Sequence, residues 1–300
     1  MADQHYGSPA PGTMAHSWVQ MFPDEYTAFK TYCQLYPNNA TLLVDTYNVL
    51  RSGVPNAIRA FKEVLEPLGV TKCGIRLDSG DLTYLSRKAR EMLDEAGLTG
   101  CKIVASNALD EYIIRDLIRQ GARIDSFGVG ERLITARSEP VFGGVYKLAA
   151  IEDEDGNIIP KIKISENVGK ITTPHFKKLY RFYGRDTGKA IADYLTVYDE
   201  TVDDSRNLEI FDPDATWKRK EVYHFEAREL LVPIYQKGKL VYKRPGIEEI
   251  KKYCTEQVDT LWDEVKRFDN PHNYYVDLSQ KLYDIKTELL NEKNERYEKN

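Results

Sequence analysis

Residues 73–97 read CGIRLDSGDLTYLSRKAREMLDEAG: a short apolar run, a polar turn and a helix-forming stretch, in that order. The run 73–77 predicts a strand that ends at Asp78. The stretch 82–96 predicts a helix, and Gly97 is placed to cap its C-terminus. The whole segment therefore predicts one βα unit.

The same alternation extends to both sides of this segment. It predicts further strands at 41–45 (TLLVD), 102–105 (KIVA) and 124–129, and further helices at 56–65 and 110–120. Strands separated by single helices form parallel sheets with crossover connections. Residues 12–143 are therefore predicted to form an α/β domain.

Polar or glycine-rich residues follow the end of each predicted strand. They are Asp45-Thr46, Asp78-Ser79-Gly80-Asp81, Ser106-Asn107 and Gly128-Val129-Gly130. The carboxyl ends of parallel strands meet at one edge, and that edge holds the active site in barrels and open α/β sheets. The sequence therefore predicts a functional site there.

The pattern changes after about residue 143, so residues 144–300 are predicted to form a second, β-rich region. Its predicted strands are 145–151, 158–164, 178–183 and 190–197, an antiparallel meander, followed by a broken strand over 222–242. Two helices, 247–268 and 278–299, are predicted to end the chain. Residues 1–11 are predicted to form a disordered lead.

Composition narrows the class of protein. Hydrophobic residues make up 42% and charged residues 30%, and the net charge is −5. This charge argues against a nucleic-acid partner, and no apolar run approaches the roughly 20 residues of a membrane helix. The four cysteines are scattered without a CxxC pair, which favours a reduced cytoplasmic protein without a zinc site.

Three short motifs carry possible chemistry, and each has an ordinary alternative. His16, in Gly12-Thr-Met-Ala-His16-Ser-Trp18, is a nucleophile, a general base or a structural hydrogen-bonding group. In the segment from Arg76 to Asp81, the arginine can bind a carboxylate, the glycine lets a ligand approach the backbone, and the aspartates can bind ribose or magnesium. The alternative is an ordinary helix-capping turn with a salt bridge. Gly128 and Gly130 cradle a phosphate or form a plain tight turn.

The order of these motifs resembles the nicotinate phosphoribosyltransferase family from Gly12 to about Lys286. The similar blocks include IRLDSGDLTYL (75–85), IVASNALDEY (103–112), GGVYKL (143–148), IKISEN (162–167) and NPHNYYVDL (270–278). The resemblance implies the irregular TIM-like α/β barrel of the type II phosphoribosyltransferases, present here in part. The β-rich C-terminal region with its terminal helices follows that barrel.

The resemblance also implies a reaction. Nicotinate and phosphoribosyl pyrophosphate would give nicotinate mononucleotide and pyrophosphate in NAD salvage, with ATP and Mg²⁺ as cofactors. ATP would phosphorylate His16, and cleavage of the phosphohistidine would drive the synthesis. Thr13 matches a nicotinate contact, and Arg76 matches the position that faces the nicotinate carboxylate.

The remaining family positions concern the phosphoribosyl group. Asp78 and the Ser79-Gly80 turn match positions near this group and its magnesium, although the sequence does not define the metal ligands. Ser106 and Asn107 match a ribose or phosphate contact, and Gly128 and Gly130 match the 5′-phosphate loop. Some relatives carry Thr at position 131, where this chain has Glu131, so Glu131 receives no binding role.

The family has a further N-terminal domain that supplies early barrel strands and residues for the neighbouring site of a homodimer. We expect this chain to lack that domain and to need it in trans for full activity. Two alternatives stay open: a relative that uses nicotinamide or quinolinate, and a non-catalytic dimerising remnant of the family.

Overall fold

The computed structural model describes residues 12–141 and 143–298, and the lead expected at residues 1–11 lies outside them. The chain divides into two compact units, one ending at Gly144 and one beginning at Val145. Each unit has its own hydrophobic clusters.

The first unit is built on a parallel sheet. Its strands are β1 (Ala40–Leu43), β2 (Cys73–Leu77), β3 (Lys102–Ala105) and β4 (Ser126–Phe127), in that spatial order. Every neighbouring pair is parallel, which confirms the predicted α/β class. Within the described residues this sheet has four strands, so its closure into a barrel stays a prediction.

The helices of this unit are α1 (His16–Gln20), α2 (Glu25–Leu35), α3 (Val54–Ala60), α4 (Leu82–Glu95), α5 (Glu111–Arg119) and α6 (Glu131–Ile134). The helices predicted at 82–96 and 110–120 are confirmed, the one predicted at 56–65 differs in form, and the structure adds α1, α2 and α6, which the sequence analysis did not predict. Asp24, Asp81 and Asp110 each precede one of these helices and accept a hydrogen bond from the backbone N–H three residues later. Such caps satisfy N–H groups that lack a partner inside the helix.

The predicted helix 56–65 has a different form in the structure. Two π-helical segments, Val49–Gly53 and Phe61–Leu65, flank α3. A Cβ at Gly53 would lie 1.9 Å from the carbonyl oxygen of Val44. Only glycine therefore allows the segment Val49–Gly53 to approach the end of β1 so closely. Periodicity alone does not reveal such a contact.

The core of the first unit lies between the sheet and its helices. Leu42, Ile75 and Ile103 on three successive strands have no exposed surface, and Phe29 and Phe61 are buried with them. Each such side chain contributes about 1.5–3 kcal/mol when fully buried. This packing holds the strand ends, and therefore the predicted site, in place.

The second unit contains short sheets and two helices. Its elements are β5 (Ala150–Glu152), β6 (Ile158–Pro160), β7 (Lys177–Gly184), β8 (Ala190–Val197), β9 (Leu208–Phe211), β10 (Arg219–Val222), β11 (Phe225–Glu229), β12 (Tyr235–Gln236), β13 (Lys239–Leu240), α7 (Ile247–Asp259), β14 (Val276–Leu278) and α8 (Gln280–Glu298). A β-rich region with terminal helices is thereby confirmed. Its main sheet has the order β11-β7-β8-β14.

The prediction of one antiparallel meander was wrong. β5–β6, β9–β10 and β12–β13 form separate pairs, and β14 runs parallel to β8. Helix α7 ends at Asp259 instead of residue 268. Just beyond it, the carbonyl of Thr260 accepts a 2.9 Å hydrogen bond from the N–H of Ala190 on β8, and Trp262 donates a 3.0 Å hydrogen bond to the carbonyl of Ala190. The sequence also missed β9 and β14.

Aromatic rings and one ion pair hold the main sheet of the second unit together. Phe182 and Phe225 are fully buried, with ring centroids 4.7 Å apart. Arg181 donates two hydrogen bonds, of 2.7 and 2.9 Å, to the carboxylate of Asp193 on the adjacent strand. Across the described residues of both units, no helix is long and apolar enough to cross a membrane.

Candidate active site

The guanidinium of Arg76 connects three parts of the carboxyl edge of the parallel sheet. Its Nε donates a 2.7 Å hydrogen bond to Ser106 Oγ, just after β3. Its Nη1 donates to Thr13 Oγ1 at 2.8 Å, and its Nη2 donates to Asp78 Oδ1 at 2.7 Å. The side chain is one-quarter exposed, so the guanidinium is held by protein groups and still reaches the surface of the site.

Asp78 lies on the turn that follows β2. Its Oδ1 accepts hydrogen bonds from both Arg76 and the hydroxyl of Ser106. Burial acts to raise the pKa of Asp78, but the hydrogen bonds from Ser106 and Arg76, together with the Arg76 charge, lower the pKa below its usual value. Asp78 is therefore a carboxylate at neutral pH.

Asp45, just after the end of β1, holds the turn after β2 in place through hydrogen bonds. Its Oδ2 accepts hydrogen bonds from the backbone N–H of Asp78 (3.0 Å) and the hydroxyl of Ser79 (2.6 Å). The side chain is 1% exposed, and its Oδ1 has no hydrogen-bond partner. A buried carboxylate oxygen without a partner is costly, which is typical of a site that receives a ligand.

His16 begins α1 and lies beside these carboxylates. Its Nδ1 is 3.1 Å from Thr46 Oγ1, and its Nε2 is 3.8 Å from Asp78 Oδ2 and 4.0 Å from Asp45 Oδ1. The imidazole is 41% exposed. One ring nitrogen is thus oriented by a hydroxyl, while the other faces two carboxylates and remains accessible.

The backbone at the strand ends is shaped by turns. Gly80 and Asn107 have φ of +79° and +84°, the left-handed region that favours glycine and tolerates asparagine. The N–H of Gly128 donates a 2.7 Å hydrogen bond to the carbonyl of Ala105, and a Cβ at Gly128 would meet Ser106 Cβ at 3.4 Å. Gly130 follows on the same loop and precedes α6.

The structure therefore brings His16, Thr13, Arg76, Asp78 and Ser106 into one connected group. Ser79 joins the group through Asp45, and Gly128 packs against Ser106. Gly80, Asn107 and Gly130 lie at the same edge of the sheet without a direct hydrogen bond to His16 or Arg76 among the described contacts. The ligand roles predicted for all of these residues stay predictions.

Sequence reasoning gave no role to Asp45 and Thr46, which the structure places directly against His16. Their signal was present, since both follow a strand at the edge expected to hold the site. The missing information was the contact between positions 30 residues apart. Glu131, at the start of α6, is exposed and still has no assigned role.

The described residues contain no group of three or more His, Cys, Asp or Glu side chains arranged to hold a metal ion. Asp45 and Asp78 nevertheless present two carboxylates to the same space around His16. Mg²⁺ commonly uses one or two protein carboxylates and completes its coordination with water and substrate phosphates. The residues present therefore fit a magnesium ion that a phosphorylated substrate would help to hold.

Taken together, a parallel α/β sheet with an imidazole, a guanidinium and two carboxylates at its carboxyl edge defines the class of α/β enzymes. Residues 176–286 match the family profile described as the nicotinate phosphoribosyltransferase C-terminal domain. The chain belongs to the nicotinate phosphoribosyltransferase family, an enzyme family of phosphoribosyltransferases.

Individual relatives agree with this assignment. The chain is 47% identical to nicotinate phosphoribosyltransferase of Bacillus subtilis over 99% of its own length and 60% of that protein. It is 35% identical to the Dictyostelium discoideum enzyme over 87% of its own length and 46% of that protein. The crystal structure of human nicotinic acid phosphoribosyltransferase aligns at a TM-score of 0.69 and 25% identity, covering 96% of this chain and 63% of the human chain. The chain thus spans less than two-thirds of each relative.

Proposed function

We propose that this chain carries the site of a nicotinate phosphoribosyltransferase, which forms nicotinate mononucleotide and pyrophosphate from nicotinate and phosphoribosyl pyrophosphate. The observation that carries the proposal is the connection of His16, Arg76 and Asp78 at one sheet edge. The names of the relatives support the substrates. The connected site favours an enzyme over a non-catalytic remnant, because a site released from use has no physical reason to keep these contacts.

Arg76 is the group that selects the acceptor. A guanidinium pairs with a carboxylate through two parallel hydrogen bonds, which gives both charge and geometry. Thr13, Ser106 and Asp78 orient the plane of Arg76 before substrate arrives. This favours nicotinate, a monocarboxylate, over nicotinamide, which has no negative charge, and over quinolinate, which has two carboxylates for one arginine.

His16 serves the coupled ATP step. In the tautomer whose Nδ1–H donates to Thr46 Oγ1, Nε2 holds the lone pair. That nitrogen attacks the γ-phosphorus, the bond to the bridging oxygen breaks, and ADP leaves. Asp45 and Asp78 stabilise the positive charge that the ring gains, and water later cleaves the phosphorus–nitrogen bond.

Phosphate groups and magnesium would occupy the remaining part of the edge. Asp45 and Asp78 would hold Mg²⁺, which supplies positive charge to the phosphates of the substrate. The Ser79-Gly80 turn, the loop at Asn107 and the loop that runs from Gly128 to Gly130, beyond the N–H of Gly128 that is bound to Ala105, offer backbone N–H groups for ribose and phosphate oxygens. The pyridine nitrogen then attacks the anomeric carbon, and pyrophosphate leaves.

The proposal includes the larger assembly. The parallel sheet would belong to an irregular TIM-like barrel closed by strands outside the described residues, and the enzyme would work as a cytoplasmic homodimer. The chain spans 60% of its Bacillus subtilis relative, and a segment equivalent to the rest of that relative, in the same polypeptide or supplied in trans, would complete the pocket. The free state of all four cysteines supports a reducing compartment.

The test is acid-labile labelling of the chain by γ-labelled ATP with Mg²⁺. Label should appear on the wild type and on His224→Ala, and it should vanish in His16→Ala. His224 is a matched control, because its ring also lies beside a carboxylate, that of Asp186 at 3.1 Å, but in the second unit. Labelling that persists in His16→Ala would refute the phosphohistidine step.

A second measurement separates the enzyme from a remnant. The labelled chain is given nicotinate, nicotinamide or quinolinate with phosphoribosyl pyrophosphate, alone and with the preceding segment of the Bacillus subtilis enzyme added in trans. Nicotinate mononucleotide in either arm supports the proposal, and its appearance without the added segment would refute the need for that segment. No product from any acceptor in both arms would favour the remnant.

A further inference from the structure

Two cysteines distant in sequence lie at the amino ends of neighbouring strands: Cys73 is the first residue of β2, and Cys101 comes just before β3. Ile75 pairs with Ile103 in the parallel register, and Cys73 and Cys101 stand two residues before these partners. Extending this register by one residue places both thiols on the same side of the sheet, and both cysteines line the same cavity. Neighbouring strands in a sheet are about 4.8 Å apart. This spacing falls within the Cα–Cα distances of roughly 4.4–6.8 Å that disulfide-bonded cysteines have.

The two thiols act on each other's ionisation. The neighbouring Cys101 thiol lowers the pKa of Cys73 despite its burial, and the neighbouring Cys73 raises the pKa of Cys101, whose own Sγ–H donates to the carbonyl of Lys102 at 3.9 Å. Arg90 adds positive charge on this side, because its Nη1 and Nη2 donate to the carbonyls of Cys101 (2.6 Å) and Leu98 (2.8 Å). The thiolate is the reactive form of cysteine, and a neighbouring cation favours it.

A cavity gives small molecules access to this pair. It has a volume of about 330 Å³ and is lined by Cys73, Cys101, Phe61, Leu65, Val70 and Leu98, among others. The cysteines are 7% and 2% exposed, so a large reagent is excluded while a small one enters through the cavity. It lies at the amino ends of the strands, whereas Arg76 and Ser106 lie at their carboxyl ends.

We propose that Cys73 and Cys101 form a reversible intramolecular disulfide when the chain meets a hydroperoxide. The Cys73 thiolate attacks the peroxide oxygen, the O–O bond breaks, and a sulfenic acid forms as water or an alcohol leaves. Cys101 then attacks that sulfur and releases water. The two thiols lose two electrons in total, and the peroxide gains them.

The bond would join β2 to β3 at the edge opposite the candidate active site. It closes a loop from residue 73 to residue 101, which restricts the unfolded chain. We expect the thermal midpoint of the first unit to rise on the order of 5 °C on oxidation. The inference does not depend on the proposed enzymatic function.

The experiment treats the full chain with hydrogen peroxide, blocks the remaining thiols by alkylation and digests with trypsin without reductant. Cleavage after Lys72, Arg76, Arg90 and Lys102 places the cysteines on separate peptides, 73–76 and 91–102. We expect these peptides to be linked, 2 Da below their summed mass, and to separate after reduction. The link should persist in Cys33→Ser and in Cys254→Ser.

Cys33 is the matched control, because it is also a buried thiol close to Cys73, and burial raises the pKa of Cys33 to about 12. In Cys101→Ala, a sulfenic acid on Cys73 should accumulate and react with dimedone. A Cys33–Cys73 link would overturn the proposal. So would free, alkylated Cys73 and Cys101 at a dose that fully oxidises the exposed Cys254.

Discussion

The buried carboxylate of Asp45 accepts a 2.6 Å hydrogen bond from the hydroxyl of Ser79, a residue 34 positions later. The same oxygen accepts the backbone N–H of Asp78. The end of β1 thereby positions the turn after β2, and the second oxygen of Asp45 is left facing His16 at 4.0 Å. One side chain thus links the geometry of the turn to the charge beside the imidazole.

Replacing Asp45 with asparagine separates these two roles. In Asp45→Asn, the amide oxygen still accepts from Ser79 and Asp78, but the negative charge beside His16 is lost. Charges about 4 Å apart at a protein surface interact by up to about 4 kcal/mol, so we expect phosphorylation of His16 to fall at least about tenfold. The rate of labelling measures this effect, and thermal unfolding checks that the variant is folded like the wild type.

The matched control for this prediction is Asp116→Asn, because Asp116 is an exposed aspartate whose carboxylate pairs with Arg115. It removes the same charge from the same unit and should leave labelling unchanged. If Asp45→Asn labels at the wild-type rate, the carboxylate neither assists the imidazole nor is needed to hold Mg²⁺ in this step, and Asp45 serves only to hold the turn.

We predict that the turn after β2 needs glycine at position 80, because of its backbone conformation and because a side chain there has no room. Its φ is +79°, and a Cβ there would lie 2.9 Å from Leu85 Cδ1. Gly80→Ala should lower the free energy of unfolding by about 1–2 kcal/mol and shift the Ser79 turn, which weakens binding of phosphoribosyl pyrophosphate. Denaturant unfolding and calorimetric titration measure the two effects.

Gly97→Ala provides the comparison for this glycine. Gly97 has φ +82° but nothing within 4 Å of the added Cβ. It should show the conformational cost without the loss of binding. Equal binding by the two variants would contradict a role for the Ser79-Gly80 turn in holding the substrate.

Arg76→Lys tests whether nicotinate binding needs the planar, two-nitrogen geometry of the guanidinium in addition to its charge. Lysine keeps the charge but cannot bind a carboxylate through two parallel hydrogen bonds while also contacting Ser106 and Thr13. We expect the dissociation constant for nicotinate to rise by about ten- to a hundredfold, equivalent to about 1.4–2.8 kcal/mol. Calorimetric titration of nicotinate, with nicotinamide as the uncharged comparison, measures this directly.

The control for Arg76 is Arg206→Lys, since Arg206 is 83% exposed and lies in the second unit. Its nicotinate affinity should match the wild type. A wild-type affinity in Arg76→Lys would mean that charge alone recognises the acceptor, and it would remove the basis for preferring nicotinate by geometry.

Local signals explain how much of the fold could be predicted. The stretch from Cys73 to Gly97 was predicted nearly to the residue, because a buried strand, a capping aspartate and a terminal glycine all act within a few positions. β14 could not be found this way. Val276–Leu278 becomes a strand only by pairing with β8, more than 80 positions earlier.

The same limit applies to the candidate site. The strand-end rule located Asp78 and Ser106, which follow neighbouring strands, and the motif around Asp78 added Arg76. No short motif encodes the contact between His16 and Thr46 or the common cavity of Cys73 and Cys101, because both depend on tertiary packing. Residue types were visible in the sequence, but the partners of those residues were not.

Asp277, on β14, gives the second unit a dependence on pH. Its side chain is buried, with the residue 3% exposed. Burial, together with the nearby negative charge of Asp212, raises the pKa of Asp277 to about 6, although Lys220 partly offsets this. In the unfolded chain the pKa of Asp277 lies near its ordinary value of 3.8, so the folded protein binds the proton more tightly.

The contribution of Asp277 to stability is therefore complete below pH 4, where both states are protonated, and is lost as the pH rises through about 6. Asp277→Asn should stabilise the protein at pH 7 by about 1–3 kcal/mol and should flatten the change between pH 7 and 5. Denaturant unfolding at both pH values measures this, with the exposed Asp259→Asn as the control. If the wild type and Asp277→Asn lose or gain stability in parallel from pH 7 to 5, Asp277 remains ionised in the fold, and a partner for its charge must be sought on the strands around it.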